Sequence, residues 1–154
     1  MSEQQPVFTI EKLYVKDVSL ELPNAPQCFL EREAPQVEVQ LQTAANGLGE
    51  GLFDVVLTAT VTAKVGDKAL FLVEVAQAGI FRIQNIPETE LGPVLAIGCP
   101  TILFPYLREV VSDCVNRGGF PPVILAPVNF ESLYQQQAAQ QQAVQQQAAP
   151  TAVQ

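Results

Sequence analysis

The sequence contains no histidine and no tryptophan. Without histidine, the commonest general base, the Ser-His and Cys-His nucleophile pairs and the commonest zinc ligand are all missing. Most hydrolase and metalloenzyme readings end there. Cations are scarce as well: 8 Lys plus Arg stand against 16 Asp plus Glu, a net charge of −8 with a sequence pI near 4.4. Phosphate backbones and anionic lipid surfaces are repelled by such a chain, so nucleic acid is not an expected partner and a basic protein is the better electrostatic match. Cys28, Cys99 and Cys114 are odd in number, far apart and without a C-x-x-C pair, which argues against a disulfide framework and against a zinc site. The first residues, Met1 to Pro6, have neither a basic n-region nor an apolar h-region, and a cytoplasmic protein is expected. Long hydrophobic runs are missing too. Leu91 to Leu107 carries no charge, but Gly92, Pro93, Gly98, Pro100 and Pro105 interrupt it within one bilayer thickness, so direct membrane insertion is not expected.

What is present fits one domain: 154 residues with 48% apolar side chains bury about 70% of the unfolded-state surface. Four segments read as strands and all precede the helical segments, an order that indicates an α+β fold. Val7 to Leu22 ends in an alternation of Val18, Leu20 and Leu22 against Asp17, Ser19 and Glu21. Gln36 to Thr43 alternates Val37, Val39 and Leu41 with Gln and Glu. Leu52 to Val65 sets Phe53, Val55, Leu57 and Val61 against threonines, and Gly66-Asp67-Lys68 turns it into Ala69 to Ile83. That last strand is apolar on both faces, so either partner subunits or interior packing must cover the second one.

Helical character is expected after Pro87 and more strongly from about Thr101 to Arg117, where Leu103, Leu107, Val110 and Cys114 keep a three-or-four spacing. Gly118-Gly119 closes that helix, Phe120 to Pro127 is extended, and Asn129 caps a third helix through Tyr134. Residues 135–154 are Gln and Ala with little else. The division expected is a domain over 1–134 followed by a tail over 135–154 that is a frayed helix or disordered.

Few motifs carry chemistry. Gly47-x-Gly49-x-Gly51 lacks the spacing, following helix and basic residue of a phosphate cradle and reads as a loop. Glu31 and Glu33 around Arg32, and Glu88 with Glu90, read as solvated charge rather than acid/base pairs. Cys99 has no base beside it, so it reads as a small buried residue. No catalytic residue, metal site or cofactor is assigned. Asp17 and Glu21 share a strand face with Glu74 nearby, either as ordinary solubilising charge or as a docking patch for a basic partner.

Cys99-Pro100-Thr101-Ile102-Leu103-Phe104-Pro105-Tyr106-Leu107-Arg108-Glu109, then Arg117-Gly118-Gly119-Phe120-Pro121 and Leu125-Ala126-Pro127-Val128-Asn129-Phe130, resemble the signature of SecB, the bacterial protein-export chaperone family. Pro23-Asn24-Ala25-Pro26 and Phe71-Leu72-Val73-Glu74-Val75 fit the same family, and the resemblance covers about residues 7–134. It implies a four-stranded antiparallel sheet with helices packed on one face, assembled as a dimer of dimers. It also implies an ATP-independent holdase, not an enzyme and without cofactor, that keeps secretory precursors unfolded and passes them to the SecA motor. By the same resemblance, SecA binds at Asp17, Glu21, Leu72 and Glu74, and tetramer assembly depends on Val73, Val75 and Gln77. The client groove takes in Phe29, Val37, Val39, Leu41, Phe53 and Tyr134, while Glu33 stands where many relatives carry Trp. Two other functions fit the composition: an intracellular carrier enclosing a small apolar ligand, and a carboxylate-dependent isomerase or hydrolase with a hidden pocket. A closed cavity with convergent polar groups marks either of these, and an open sheet with long surface grooves marks the chaperone.

Overall fold

In the computed structural model, which describes residues 4–148, four strands come first: β1 (Val7–Glu21), β2 (Gln36–Gly49), β3 (Leu52–Val65) and β4 (Lys68–Gln84). They form one antiparallel sheet in the order β1-β4-β3-β2. Directly opposed residues share a face, so the register sorts every side chain. Phe71, Val73, Val75 and Phe81 of β4 lie with Val55, Leu57, Ala59 and Val61 of β3 on the face that the helices cover, all of them buried. Leu72, Glu74, Ala76, Ile80 and Arg82 lie with Asp54, Thr58, Thr60 and Thr62 on the other face, which is open.

Two irregularities in β1 decide what each face carries. Ile10 pairs with Phe81 and Lys12 with Ile80; Val15 pairs with Gln77 and Asp17 with Ala76. Glu11 and Lys16 are thus extra residues, each forming a β-bulge. The bulges keep Phe8, Ile10, Leu13, Val15, Val18 and Leu20 on the helix-covered side although their spacing breaks strict alternation twice.

Helices α1 (Glu88–Pro93), α2 (Cys99–Arg117) and α3 (Phe130–Ala148) follow. α1 and α2 are joined by a π turn, Val94–Gly98, in which the Cys99 N–H donates to the Val94 carbonyl. The glycines and prolines expected to interrupt this stretch do not. Pro93 sits near the start of the run, and the wider π turn comes just before Pro100, whose ring would otherwise crowd the preceding turn. Glu88–Arg117 is therefore helical throughout, long and apolar enough by length and composition to cross a membrane. One stripe of it, Leu103, Leu107, Val111 and Val115, is fully buried over β3 and β4, the packing of a core helix. Gly79 lets the layers approach: a Cβ there would stand 2.8 Å from the Phe81 ring and 3.2 Å from Leu103.

The helix ends follow the sequence. Gly119 takes φ +91° and the Phe120 N–H returns to the Val115 carbonyl, closing α2. Asn129 Oδ1 accepts from the Ser132 N–H at 3.0 Å, capping α3. β2 is longer than expected: it continues through Gly47 to Gly49, and the reversal falls on Glu50 and Gly51, both at positive φ. α3 extends through the Gln/Ala tract to Ala148 with its side chains mostly exposed; positions 149–154 of the expected tail lie outside the described residues.

Candidate functional site: an apolar groove and an acidic sheet face

α2 covers the centre of the sheet and leaves both outer strands short of cover. On the β2 side this opens a groove. Its floor is the helix-facing row of β2, where Val37 and Val39 remain 43% and 44% exposed and Leu41 is half-buried. Its far wall is α3 with the segment leading into it. One hollow of about 410 Å³ lies between Val39, Leu41, Phe104, Leu125 and Leu133. A second, of about 270 Å³, adjoins it at Leu41 and Leu133 and continues past Ala45, Leu95 and Tyr134. Both are open-sided. Phe104 and Phe130 meet edge to face at 5.9 Å, and the Arg108 guanidinium lies 5.5 Å above the Phe104 ring, which holds this wall in place.

Phe29 stacks on Phe120 at 5.1 Å, and Phe120 in turn meets Phe71, of the same register row as Ala63 and Val37, at 5.1 Å. Gly119 gives the ring room, since a Cβ there would come within 2.9 Å of Phe29. Of the six residues expected in the groove, Val39, Leu41 and Tyr134 line the two hollows, Val37 lies next to Val39 in the same β2 row, and Phe29 is held by Phe120 outside both hollows. Phe53 does not join them. It pairs with Gly47 and Phe81 at the other end of the sheet and packs against the core. Leu95, Phe104, Leu125 and Leu133 line the trough and were not singled out from sequence. Leu125 is recognisable only as an apolar residue inside a Pro-rich segment, a pattern that does not separate lining from anchoring.

The open face carries the charges. Glu21 opposes Leu72, Ser19 opposes Glu74, and Asp17 opposes Ala76, so Asp17, Glu21, Leu72 and Glu74 form one patch across β1 and β4. Its three carboxylates are exposed and none joins an ion pair among the described residues. Val73, Val75 and Gln77 lie on the opposite face beneath this chain's own α2, at 1%, 0% and 3% exposure. Gln77 Oε1 is buried without a hydrogen-bond partner among the described residues. α2 covers one face of β4; on the other, Tyr14 reaches over Ala78 while Leu72, Ala76 and Ile80 stay partly exposed.

Tyr14 Oη donates to Asp54 Oδ1 at 2.6 Å, spanning β4 over Ala78, which is fully buried. That hydrogen bond, with burial second, pushes the Tyr14 hydroxyl up to about 12. Burial does the same to the Cys99 thiol, also to about 12. Arg82 donates to Glu11 at 2.9 Å and holds that carboxyl below its ordinary range. All three cysteines are free, and among the described residues no group of His, Cys, Asp and Glu is placed to hold a metal ion.

Comparison with known proteins agrees with this architecture. The family model described as preprotein translocase subunit SecB matches residues 1–141. The protein-export protein SecB of Dechloromonas aromatica is 64% identical over 134 residues, covering 87% of this chain and 88% of its own. That of Aromatoleum aromaticum is 66% identical over 134 residues, covering 86% and 84%. Among solved structures, a SecB-like chaperone of Mycobacterium tuberculosis, in complex with a peptide from an antitoxin, superposes with a TM-score of 0.66 over 79% of this chain and 90% of its own. At 18% identity it attests the fold. By model match, by identity over most of its length and by fold, the chain belongs to the SecB family.

Proposed function

We propose that this chain is an ATP-independent holdase in the cytoplasm that keeps secretory precursors unfolded and delivers them to the SecA motor. The observation that carries the reading is the separation of two surfaces: an open-sided apolar trough beside β2, and an acidic patch on the opposite face of the sheet at β1 and β4. An unfolded chain offers apolar side chains in no fixed order, so its receptor needs breadth rather than a closed pocket. Several weak contacts along one client then act together at high effective concentration. Phe29, Val37, Val39, Leu41 and Tyr134 form the client surface in this reading, and Phe53 serves the core instead. Asp17, Glu21, Leu72 and Glu74 form the SecA surface. The holdase cycle needs neither catalysis nor a cofactor, and residues 1–134 carry it with 135–154 as an appendage.

The working unit is a homotetramer, a dimer of dimers. Support comes from β1, whose free edge carries Phe8, Ile10, Val15 and Val18 at 43–46% exposure on the side that α2 leaves bare. Val73, Val75 and Gln77 act on assembly from below, by setting the seat of α2. The test is suppression of aggregation of an unfolded secretory precursor without nucleotide, followed by light scattering at several chaperone ratios. Protection by the wild type and its loss in Leu41→Asp, in an assembly of unchanged mass, bear the reading out; equal protection by both sinks it.

A further inference from the structure

The open sheet face is not uniformly acidic. Its registered rows run from an acidic end, Glu21-Leu72-Thr62-Glu38 with Glu74 and Asp17 beside it, to an opposite end where Lys12 lies beside Ile80 and Asp54. The two bulges of β1 create this second end. An extra residue lets two consecutive charged side chains share a face: Glu11 with Lys12, and Lys16 with Asp17. Their contacts fix the direction, because Glu11 meets Arg82 and Lys16 meets Asp54, both on the open face. Arg82 is engaged by Glu11 at 2.9 Å and Lys16 lies 4.0 Å from Asp54, whereas Lys12, like Lys64 among the carboxylates of the acidic end, is exposed and outside any ion pair among the described residues. Between the ends β4 contributes only Ala76 and Ala78 to this face, the second of them roofed by Tyr14. A purely basic partner is attracted at one end of this face and repelled at the other.

We propose that this face binds an extended partner segment of two signs: basic residues over Glu21 and Glu74, a small apolar stretch on Leu72 and Ala76, and an acidic side chain paired with Lys12. This rests on the reading of the face as the SecA surface and adds the second anchor. Lys12 and Glu21 are about 25 to 30 Å apart along β1 at the rise of a strand, which sets a spacer of about eight extended residues. The charge complementarity at both ends selects this occupant over a uniformly basic tail.

Three synthetic peptides of one length test it by fluorescence anisotropy on the assembled wild-type protein. All begin Lys-Lys and share an uncharged Leu/Ser spacer; they end in Glu-Glu, Ser-Ser or Arg-Arg. The Glu-Glu peptide is expected to bind about two- to fivefold more tightly than the Ser-Ser peptide, the range for one or two exposed ion pairs. In Lys12→Glu, a substitution on an exposed edge-strand position, that order reverses and the Arg-Arg peptide binds best. Equal binding of the Glu-Glu and Ser-Ser peptides to the wild type overturns the second anchor, as does an unchanged order in Lys12→Glu. The Glu21→Lys, Glu74→Lys protein separates the two readings. If it loses all three peptides while Lys12→Glu keeps the wild-type order, only the second anchor fails; if it binds them as the wild type does, or the wild type binds none, the docking surface itself is refuted.

Discussion

Tyr14 and Asp54 are joined by a 2.6 Å hydrogen bond that ties edge strand β1 to β3 over the back of β4. Each residue lies two strands from the other, so the bond resists peeling of β1 in a way no neighbouring-strand contact does. Tyr14→Phe is expected to lower stability by about 1 to 2 kcal/mol, the worth of a part-buried hydrogen bond to a carboxylate. The hydroxyl stands at about 12 in the folded chain, above the value of about 10 for an unfolded tyrosine. Its contribution is therefore complete below pH about 10 and is lost as the pH rises toward 12. Thermal unfolding of both proteins at pH 7, 9 and 11 should show a constant gap that narrows only at the last.

Assembly and protomer folding should separate by strand. Val15 is 44% exposed on the bare margin of β1, so Val15→Glu is expected to lower the mass in light scattering while leaving the far-ultraviolet circular dichroism intact. Val75 is fully buried under α2. Val75→Asp places an unpaired charge there and should cost several kcal/mol of protomer stability as well as the assembly.

Client holding should follow the trough and not the aromatic content of the chain. Leu133→Ser, on the α3 wall, is expected to raise the chaperone ratio needed for half-protection by about two- to threefold, for the loss of an apolar contact on a partly open surface. Phe53→Leu should change holding little, because that ring packs against the core away from the trough.

The thiols should react in order of access. Cys114 is half-buried, while Cys28 and Cys99 are at 5% and 0% exposure. With its pKa pushed up to about 12 by burial, Cys99 is almost wholly protonated at neutral pH and screened from reagents. Timed alkylation read by peptide mass spectrometry should modify Cys114 first, and Cys99 only when the protein unfolds.

Truncation after Tyr134 is expected to leave folding, assembly and holding near wild type. The removed residues carry no charge, and those of them described, 135–147, are mostly exposed. A lower mass than that of the full chain's own assembly, on size exclusion with light scattering, would show that the Gln/Ala helix takes part in association.

Most of the sheet was legible because alternation of apolar and polar residues maps directly onto its two faces. The β2 run from Val37 to Leu41 and the Asp17 to Glu21 segment fell on the faces their pattern indicates. The first half of β1 did not yield to the same rule, since Glu11 and Lys16 reset the alternation and no local residue type announces a bulge. Gly92, Pro93 and Pro100 pointed to breaks that packing overrode, by widening one turn and seating the rest of the helix on β3 and β4. The acidic patch was legible from strand spacing once the face was known. The trough was legible only in part, because Leu95, Phe104, Leu125 and Leu133 meet across long chain separations that no periodicity reports. Family resemblance supplied Phe29 and Tyr134, where pattern alone was silent.

The two bulge residues also bear on how this strand tolerates changes in length. Pairing on either side of Glu11 and Lys16 advances on β4 as though neither were there: Ile10 and Lys12 meet consecutive partners, and so do Val15 and Asp17. Excision of both would leave every hydrogen-bonded pair from Val7 to Glu21 in phase and each apolar side chain on its present side. What would disappear is the added twist, together with one acidic and one basic group. At these two sites a deletion is the gentler lesion, whereas deleting any paired residue such as Leu13 would turn the strand over from that point to its beginning.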